Sequence, residues 1–293
     1  MDLKTLKTFL HLSETLHFGK TSQLVHVSPS TLSRSIQQLE SELGLSLFIR
    51  DNRSVELTQE GVQLQQYARD TLQNWDLFQQ SLNRDKNDLY GAISIYCSVT
   101  ASYSFLHEVL REFRFAYPKI EMVLHTGDTE NAINRVLDGQ EDVSIAAKLD
   151  RMPPNLVFKG LGRSPLVMIA PTKSAYLDIE VGTLAKEYWE NIPMILPEKG
   201  LFRERIDKWF ADNQFLPNIY AQVGGNEAIV SMVSLGFGVG LVPKIVVDNS
   251  PLADQVYIME NQPNLAPIEV GFCAKRKRLQ SPLIKALWDS VVG

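Results

Sequence analysis

The stretch from Val27 to Leu39, VSPSTLSRSIQQL, sets Ser28, Ser30, Thr31, Ser33 and Ser35 around a single arginine, Arg34. Hydroxyl residues are mediocre helix formers because they compete for the backbone. Leu32, Ile36 and Leu39 nevertheless keep helical spacing. From residue 15 to residue 39 there is no Asp or Glu, in a chain whose formal net charge is -5. Short hydroxyls and a guanidinium donate to phosphate oxygens and base edges, and arginine alone among them makes the paired contact to guanine. The chemistry implied is recognition of a polyanion by a helix entering the major groove through its first turns. The competing reading is a solvated, Ser-rich face of a small bundle.

A second set of residues lies further along. Ser98, Val99, Thr100 and Ala101 follow one expected strand, Thr126 and Gly127 a second, and Ala146 a third. Gly200, Leu201 and Phe202 open an expected helix, and Gly225 and Asn226 lie between a strand and a helix. Ligands of open α/β sheets bind beyond the carboxyl ends of strands. Helix starts expected at 101, 201 and 226 would aim free N–H groups into one cleft, an arrangement suited to a small carboxylate. The competing reading of each segment is an ordinary turn between strand and helix. Lys148 and Arg203 either add charge to this cleft or stay solvated.

These groups need elements to hold them. Leu3, Leu6, Phe9 and Leu10 predict a first helix capped by Asp2. A second is expected over Lys20–Val25. A third starts at Ser28-Pro29, cap and first helical position, and stops at Gly44. LSLFIRDNRSVELT alternates about Asp51-Asn52 as a hairpin, carrying Arg50 and Arg53. From 58 to 88 there is no proline and one glycine, and Leu64, Ala68, Thr71, Trp75, Phe78 and Leu82 form a heptad seam on one long helix. Such a stripe needs a partner to bury it. From Gly91 onward strands and helices alternate, which predicts mostly parallel sheets with helices on both faces. Helices are expected over 102–117, 130–137, 183–189, 201–212, 226–235 and 281–291.

Other chemistries lack their motifs. Cys97 and Cys273 stand alone, with no metal spacing, and read as buried free thiols. His17 and His26 read as packing or phosphate-adjacent residues, since nothing is spaced to share a metal. Gly236-Phe237-Gly238-Val239-Gly240 superficially suggests a dinucleotide loop, but it follows an expected helix and opens the apolar run VGLVP. No nucleophile elbow, phosphate loop or zinc-protease motif occurs, so an enzyme is the minority expectation. A purely architectural DNA protein would not need the long α/β half. The N-terminus has no signal-peptide core, and no apolar run nears the ~20 residues of a membrane span. A cytoplasmic protein is expected.

The run LKTFLHLSETLHFGKTSQLVHVSPSTLSRSIQQLESELGLSLFIRDNRSVELTQEG, Leu3 to Gly61, resembles the winged helix–turn–helix of LysR-type transcriptional regulators. Thr21-Ser22 stands where most members carry an alanine pair, a departure that touches helix packing. The resemblance implies that Ser28, Pro29, Ser30, Thr31, Ser33 and Arg34 face an operator in double-stranded promoter DNA. It implies that Arg50 and Arg53 reach the backbone or minor groove. It divides the chain into an all-α winged helix–turn–helix (1–57), a dimerisation linker helix (58–88) and an α/β effector domain (89–293). That domain has two lobes, like periplasmic solute-binding proteins: lobe I about 91–162 and 266–293, lobe II about 163–265. Leu64, Ala68, Trp75, Phe78 and Leu82 then make the dimer, and the effector domains make a tetramer. RNA polymerase is an implied partner, and no cofactor is. Within the family, RDNRSVELT, CSVTASYS and VGGNEAIVSMVSLGFGVGLVP are similar to the branch that activates the acetohydroxy-acid isomeroreductase gene of isoleucine and valine biosynthesis. That branch implies a 2-hydroxy-3-keto acid effector, acetolactate or acetohydroxybutyrate. A regulator of another operon with a different effector is the alternative.

Overall fold

The computed structural model describes residues 1–51, 54–82, 89–173, 186–260 and 264–291. The chain divides into two compact units, Met1–Arg84 with Asp138–Gln140, and Asp85–Leu137 with Glu141–Gly293.

The first unit contains α1 (Leu3–Thr15), α2 (Phe18–Leu24), α3 (Pro29–Leu43), a hairpin of β1 (Phe48–Arg50) and β2 (Val55–Leu57), and α4 (Gln59–Leu82). Asp2 caps α1 by accepting from the Thr5 N–H at 2.7 Å. Helix α2 starts two residues before the expected Lys20, because His17 acts as its cap: Nδ1 accepts from the Lys20 N–H at 3.1 Å. Leu6, Phe9 and Leu12 of α1 meet Leu32, Ile36 and Leu39 of α3 in one core with Leu47 and Phe48. Thr21 and Ser22 are buried beside it. Their hydroxyls are satisfied locally, by the carbonyls of His17 and Gly19, so the departure from an alanine pair leaves no orphaned donor.

Helix α4 corrects the heptad expectation. Ala68 is 0% exposed within the core of the first unit, and Leu64 packs against that same core. A residue sealed by its own fold has no surface to offer a second chain, so Ala68 leaves the dimerisation set, while Leu64 is only partly buried against the same core. Arg69, paired with Glu14 of α1 at 3.2 Å, ties the same stretch down. Only the later half of the seam is open: Trp75, Phe78 and Leu82 are 39, 53 and 62% exposed.

The second unit carries two five-stranded sheets. In the first, β3 (Gly91–Cys97), β4 (Ile120–Thr126), β5 (Val143–Ala147), β6 (Leu156–Ser164) and β12 (Ile268–Lys275) lie in the order β4-β3-β5-β12-β6. In the second, β7 (Leu166–Pro171), β8 (Pro193–Pro197), β9 (Asn218–Val223), β10 (Val239–Pro243) and β11 (Val256–Ile258) lie in the order β11-β7-β10-β8-β9. Between β3 and β4 the chain is helical throughout, from α5 (Val99–Ala101) through a π-helical stretch (Ser102–Leu106) into α6 (His107–Ala116). The remaining helices are α7 (Ala132–Leu137), α8 (Lys186–Asn191), α9 (Leu201–Asp212), α10 (Asn226–Ser234), α11 (Lys244–Asp248) and α12 (Pro282–Ser290). The helix expected over 183–189 is described only from Lys186, and its earlier residues lie outside the described residues.

Both sheets are mixed rather than mostly parallel. β3 runs parallel to β4 and β5, and β8 parallel to β9 and β10. However, β12 is antiparallel to β5 and β6, and β7 to β10 and β11. The exceptions are the strands on which the chain passes between sheets: β6 leads through Pro165 alone into β7, and β12 brings the chain back. Strand β6, LVFKGLGRS, was invisible to pattern reading because Gly160 and Gly162 interrupt its apolar run. Gly240 packs where a side chain would strike Ile229 and Val233 of α10. Gly240 thus serves close helix–strand contact, and a side chain at Gly238 would strike the Pro193 carbonyl.

Candidate functional site

In the first unit, Ser28 is the cap of α3: its hydroxyl accepts from the Thr31 N–H at 3.1 Å and shares hydrogen bonds with the hydroxyls of Ser30 and Thr31. Pro29 sits at the first helical turn, where it loses no hydrogen bond. Ser28, Pro29, Ser30, Thr31 and Arg34 are exposed and Ser33 half-exposed, opposite the buried Leu32, Ile36 and Leu39. Arg34 has no ion-pair partner among the described residues. One helix thus presents hydroxyls and one uncommitted guanidinium to solvent while its other face holds the core.

The hairpin behaves differently. Arg50 is engaged at home: its guanidinium meets Glu40 at 2.7 Å and lies over the Phe18 ring, 5.2 Å from the centroid. The other oxygen of Glu40 accepts from the N–H groups of Leu47 and Phe48. Arg50 thus braces α2, α3 and the hairpin while remaining exposed to solvent. Arg53 lies outside the described residues.

In the second unit, the candidate ligand residues fall into two groups. Ala146, Gly200, Leu201 and Phe202 line a cavity of about 190 Å³, together with Ala147, Thr129, Glu130, Ile133, Asn134, Leu149 and Glu204. Ser98, Val99, Thr100, Ala101, Thr126, Gly127, Gly225 and Asn226 do not line it. Ser98 caps α5, so the helix begins at Val99 and not at 101: the Ser98 hydroxyl accepts from the Ala101 N–H at 3.1 Å. Gly127 donates its N–H to the Cys97 carbonyl at 3.1 Å, which joins the ends of β3 and β4. Val99 is exposed, while Ala101 and Asn226 are buried.

Thr100 is buried, and its N–H and hydroxyl both donate to one oxygen of Glu227, at 3.1 and 2.6 Å. Glu227 stands in the first turn of α10, on the second sheet's side. Two further carboxylates lie close to helix starts. Glu130 lies against Gly200, where a methyl group would come 2.5 Å from its Cδ. Gly200 holds φ at +92° at the start of α9, a conformation a side chain resists. Asp128 lies beside Gly224 and Gly225 at the start of α10. Burial raises the Glu130 carboxyl above the usual range; Asp128, Glu198 and Glu204 push the same way, against Lys199. Lys148 and Arg203 do not supply loose charge: Lys148 pairs with Glu269 at 3.1 Å, and Arg203 with Asp207 at 2.8 Å.

Sequence reading missed Asp128, Glu130 and Glu227. Glu227 directly follows the chosen Asn226, and an acid in a first turn reads as a dipole partner for its own helix. Nothing local says that it reaches a residue 127 positions away.

Two family models cover most of the chain. Residues 3–62 match the bacterial regulatory helix-turn-helix protein, lysR family, and residues 86–293 match the LysR substrate binding domain. The chain belongs to the LysR family. This LysR regulator is 44% identical over 291 residues to the HTH-type transcriptional regulator IlvY of Escherichia coli (strain K12), covering 98% of both chains. To the HTH-type transcriptional activator IlvY of Haemophilus influenzae it is 43% identical over 289 residues, covering 98% of this chain and 99% of that one. Among solved structures, a full-length OxyR variant from Pseudomonas aeruginosa superposes with a TM-score of 0.70 at 21% identity, covering 99% of this chain and 94% of that one. Full-length CbnR in complex with its target DNA gives 0.63 at 19%, covering 99% of each. These two show the fold alone. The LysR regulator is a DNA-binding transcriptional regulator and not an enzyme. Among the described residues no helix is long and apolar enough to cross a membrane.

Proposed function

We propose that this LysR regulator activates a promoter of branched-chain amino-acid biosynthesis when a small 2-hydroxy-3-keto acid, acetolactate or acetohydroxybutyrate, enters the cleft of its second unit. The first turns of α3 read the operator, with Arg34 as the base-reading side chain and Ser28, Ser30, Thr31 and Ser33 meeting phosphate. The protein works in the cytoplasm, where its promoter and RNA polymerase are. It dimerises through the open half of α4, around Trp75, Phe78 and Leu82, and tetramerises through the effector domains.

The observation that carries the effector half is the convergence of two buried donors of Thr100 on one carboxylate oxygen. A site that satisfies a carboxylate with an N–H and an O–H suits the acid group of such an effector. Identity of 44% to IlvY regulators supports the pathway. Effector binding acts by differential affinity for two conformations, since equal affinity shifts nothing.

The test is a thermal-shift series with acetolactate, acetohydroxybutyrate, pyruvate and valine, followed by operator footprinting with each compound that shifts. Acetolactate or acetohydroxybutyrate should raise the melting temperature and change the footprint. A shift with neither would sink the effector assignment, whatever the protein does on DNA.

A further inference from the structure

The donors best placed for an effector's acid group are already taken by an acid of the chain itself. Glu227 reaches from α10 to the start of α5 and accepts both the N–H and the hydroxyl of Thr100. We propose that Glu227 is a built-in competitor of the effector: it holds the Thr100 donors and latches the two sheets together until an incoming carboxylate displaces it. This rests on the reading that the cleft takes a carboxylate.

The two ends of the bond are unequal, and that makes it a latch. Glu227 is an exposed residue, so its carboxylate can turn to water with little loss. Thr100 is 6% exposed, so its N–H and hydroxyl have little access to water. Leaving buried donors unpaired is costly, while exchanging one acceptor for an equal one is not. Departure of Glu227 is therefore cheap only when another anionic oxygen arrives. Two carboxylates cannot share one pair of donors without like-charge repulsion, and Asp128 at the same helix start adds to that repulsion. Occupancy by Glu227 and by an effector acid is thus mutually exclusive. Apparent effector affinity is lowered by the fraction of molecules in which the latch is open. The same logic selects ligands: an ester or amide analogue brings no charge to replace the one it evicts.

Acetolactate and its methyl ester serve as probes, titrated calorimetrically against full-length wild type, Glu227→Ala, Thr100→Val and the double variant. Removing Glu227 should tighten acetolactate binding about five- to tenfold, in proportion to the freed competent fraction. In the Thr100→Val background, where the latch is already weakened, the gain should shrink to about twofold or less. Equal gains in both backgrounds would mean that Glu227 acts by charge alone, and would overturn the latch, as would unchanged or weaker binding in Glu227→Ala. The ester should remain a poor ligand for wild type; displacement of Glu227 by the ester would count against the proposal. A ligand-free measurement separates this proposal from the effector reading. Amide hydrogen exchange at Thr100 should be faster in Glu227→Ala than in wild type. If wild type binds no acetolactate but this difference is found, the effector assignment and the competition fall with it, and only the tie between Glu227 and Thr100 stands. If exchange is the same in both proteins, the latch falls on its own evidence.

Discussion

The face of α3 and the cleft of the second unit make opposite uses of acid. Around α3 the chain omits Asp and Glu for 25 residues, from 15 to 39, and leaves Arg34 exposed and uncommitted. In the cleft it does the reverse, setting Asp128, Glu130 and Glu227 against Gly225, Gly200 and Thr100. A surface for a polyanion works by standing open, because DNA brings charge enough to settle on any available donor. A pocket for a small anion gains from being filled in advance, because the occupant sets a threshold that only a matching group exceeds. The difference teaches that one kind of donor can be arranged for constant availability or for conditional availability.

The comparison breaks most severely if the reading helix loses its footing. Ile36 is 0% exposed under the α3 face, and Ile36→Ala should cost roughly 2–5 kcal/mol of stability in the first unit. Operator binding should fall with the melting of that unit, while acetolactate still raises the melting temperature of the second. Loss of both responses together, followed by calorimetry, would show that the two surfaces do not depend on separate cores. Arg34→Ala is gentler, because it leaves the fold intact. It should cost roughly 1–3 kcal/mol of operator affinity and relax preference at one base pair. Competition binding with single-base operator variants decides this. An equal fall on specific and random DNA would make Arg34 a phosphate contact.

The smallest expected effect concerns the acid held by burial. Glu130 has its carboxyl raised, chiefly by desolvation. A carboxyl raised in the folded state binds its proton more tightly there than in the unfolded chain. Its contribution to stability is full below the ordinary glutamate range and is lost as pH rises through the folded value. Glu130→Gln should therefore raise the melting temperature slightly at pH 7, and the gain should vanish as the pH is lowered below the ordinary range. A gain that persists at low pH, in circular-dichroism melts, would mean that the residue acts through shape.

How far each region could be read from residues alone follows the same division. The start of α3 is written locally: Ser28 caps, Pro29 begins the helix, and the apolar positions repeat at its period. The start of α5 was misplaced by two residues because Ser98, not the residues after it, supplies the cap. The heptad stripe of α4 correctly announced something to bury, but periodicity does not say what against. Leu64 and Ala68 found their own unit, and Trp75 and Phe78 stayed open with ring centroids 5.9 Å apart. Arg50 reads as a wing charge, and its pairing with Glu40, ten residues earlier, is not marked in the local spacing. The cleft acids were the least legible, since a carboxylate that reaches across a cleft leaves no mark in the spacing of its neighbours.

The two cysteines bear on how the proposed opening can be watched. Cys97, at the end of β3, and Cys273, inside β12, are buried free thiols. Burial raises their pKa to about 11 and about 12. At neutral pH each is then ionised in fewer than about one molecule in a thousand, and the thiolate is the form that reacts. The folded chain should therefore react only slowly with maleimides and other alkylating dyes. A cysteine introduced on the exposed rim of the cleft would carry a fluorophore alone, with no need to remove the native pair, and its emission would report opening in real time.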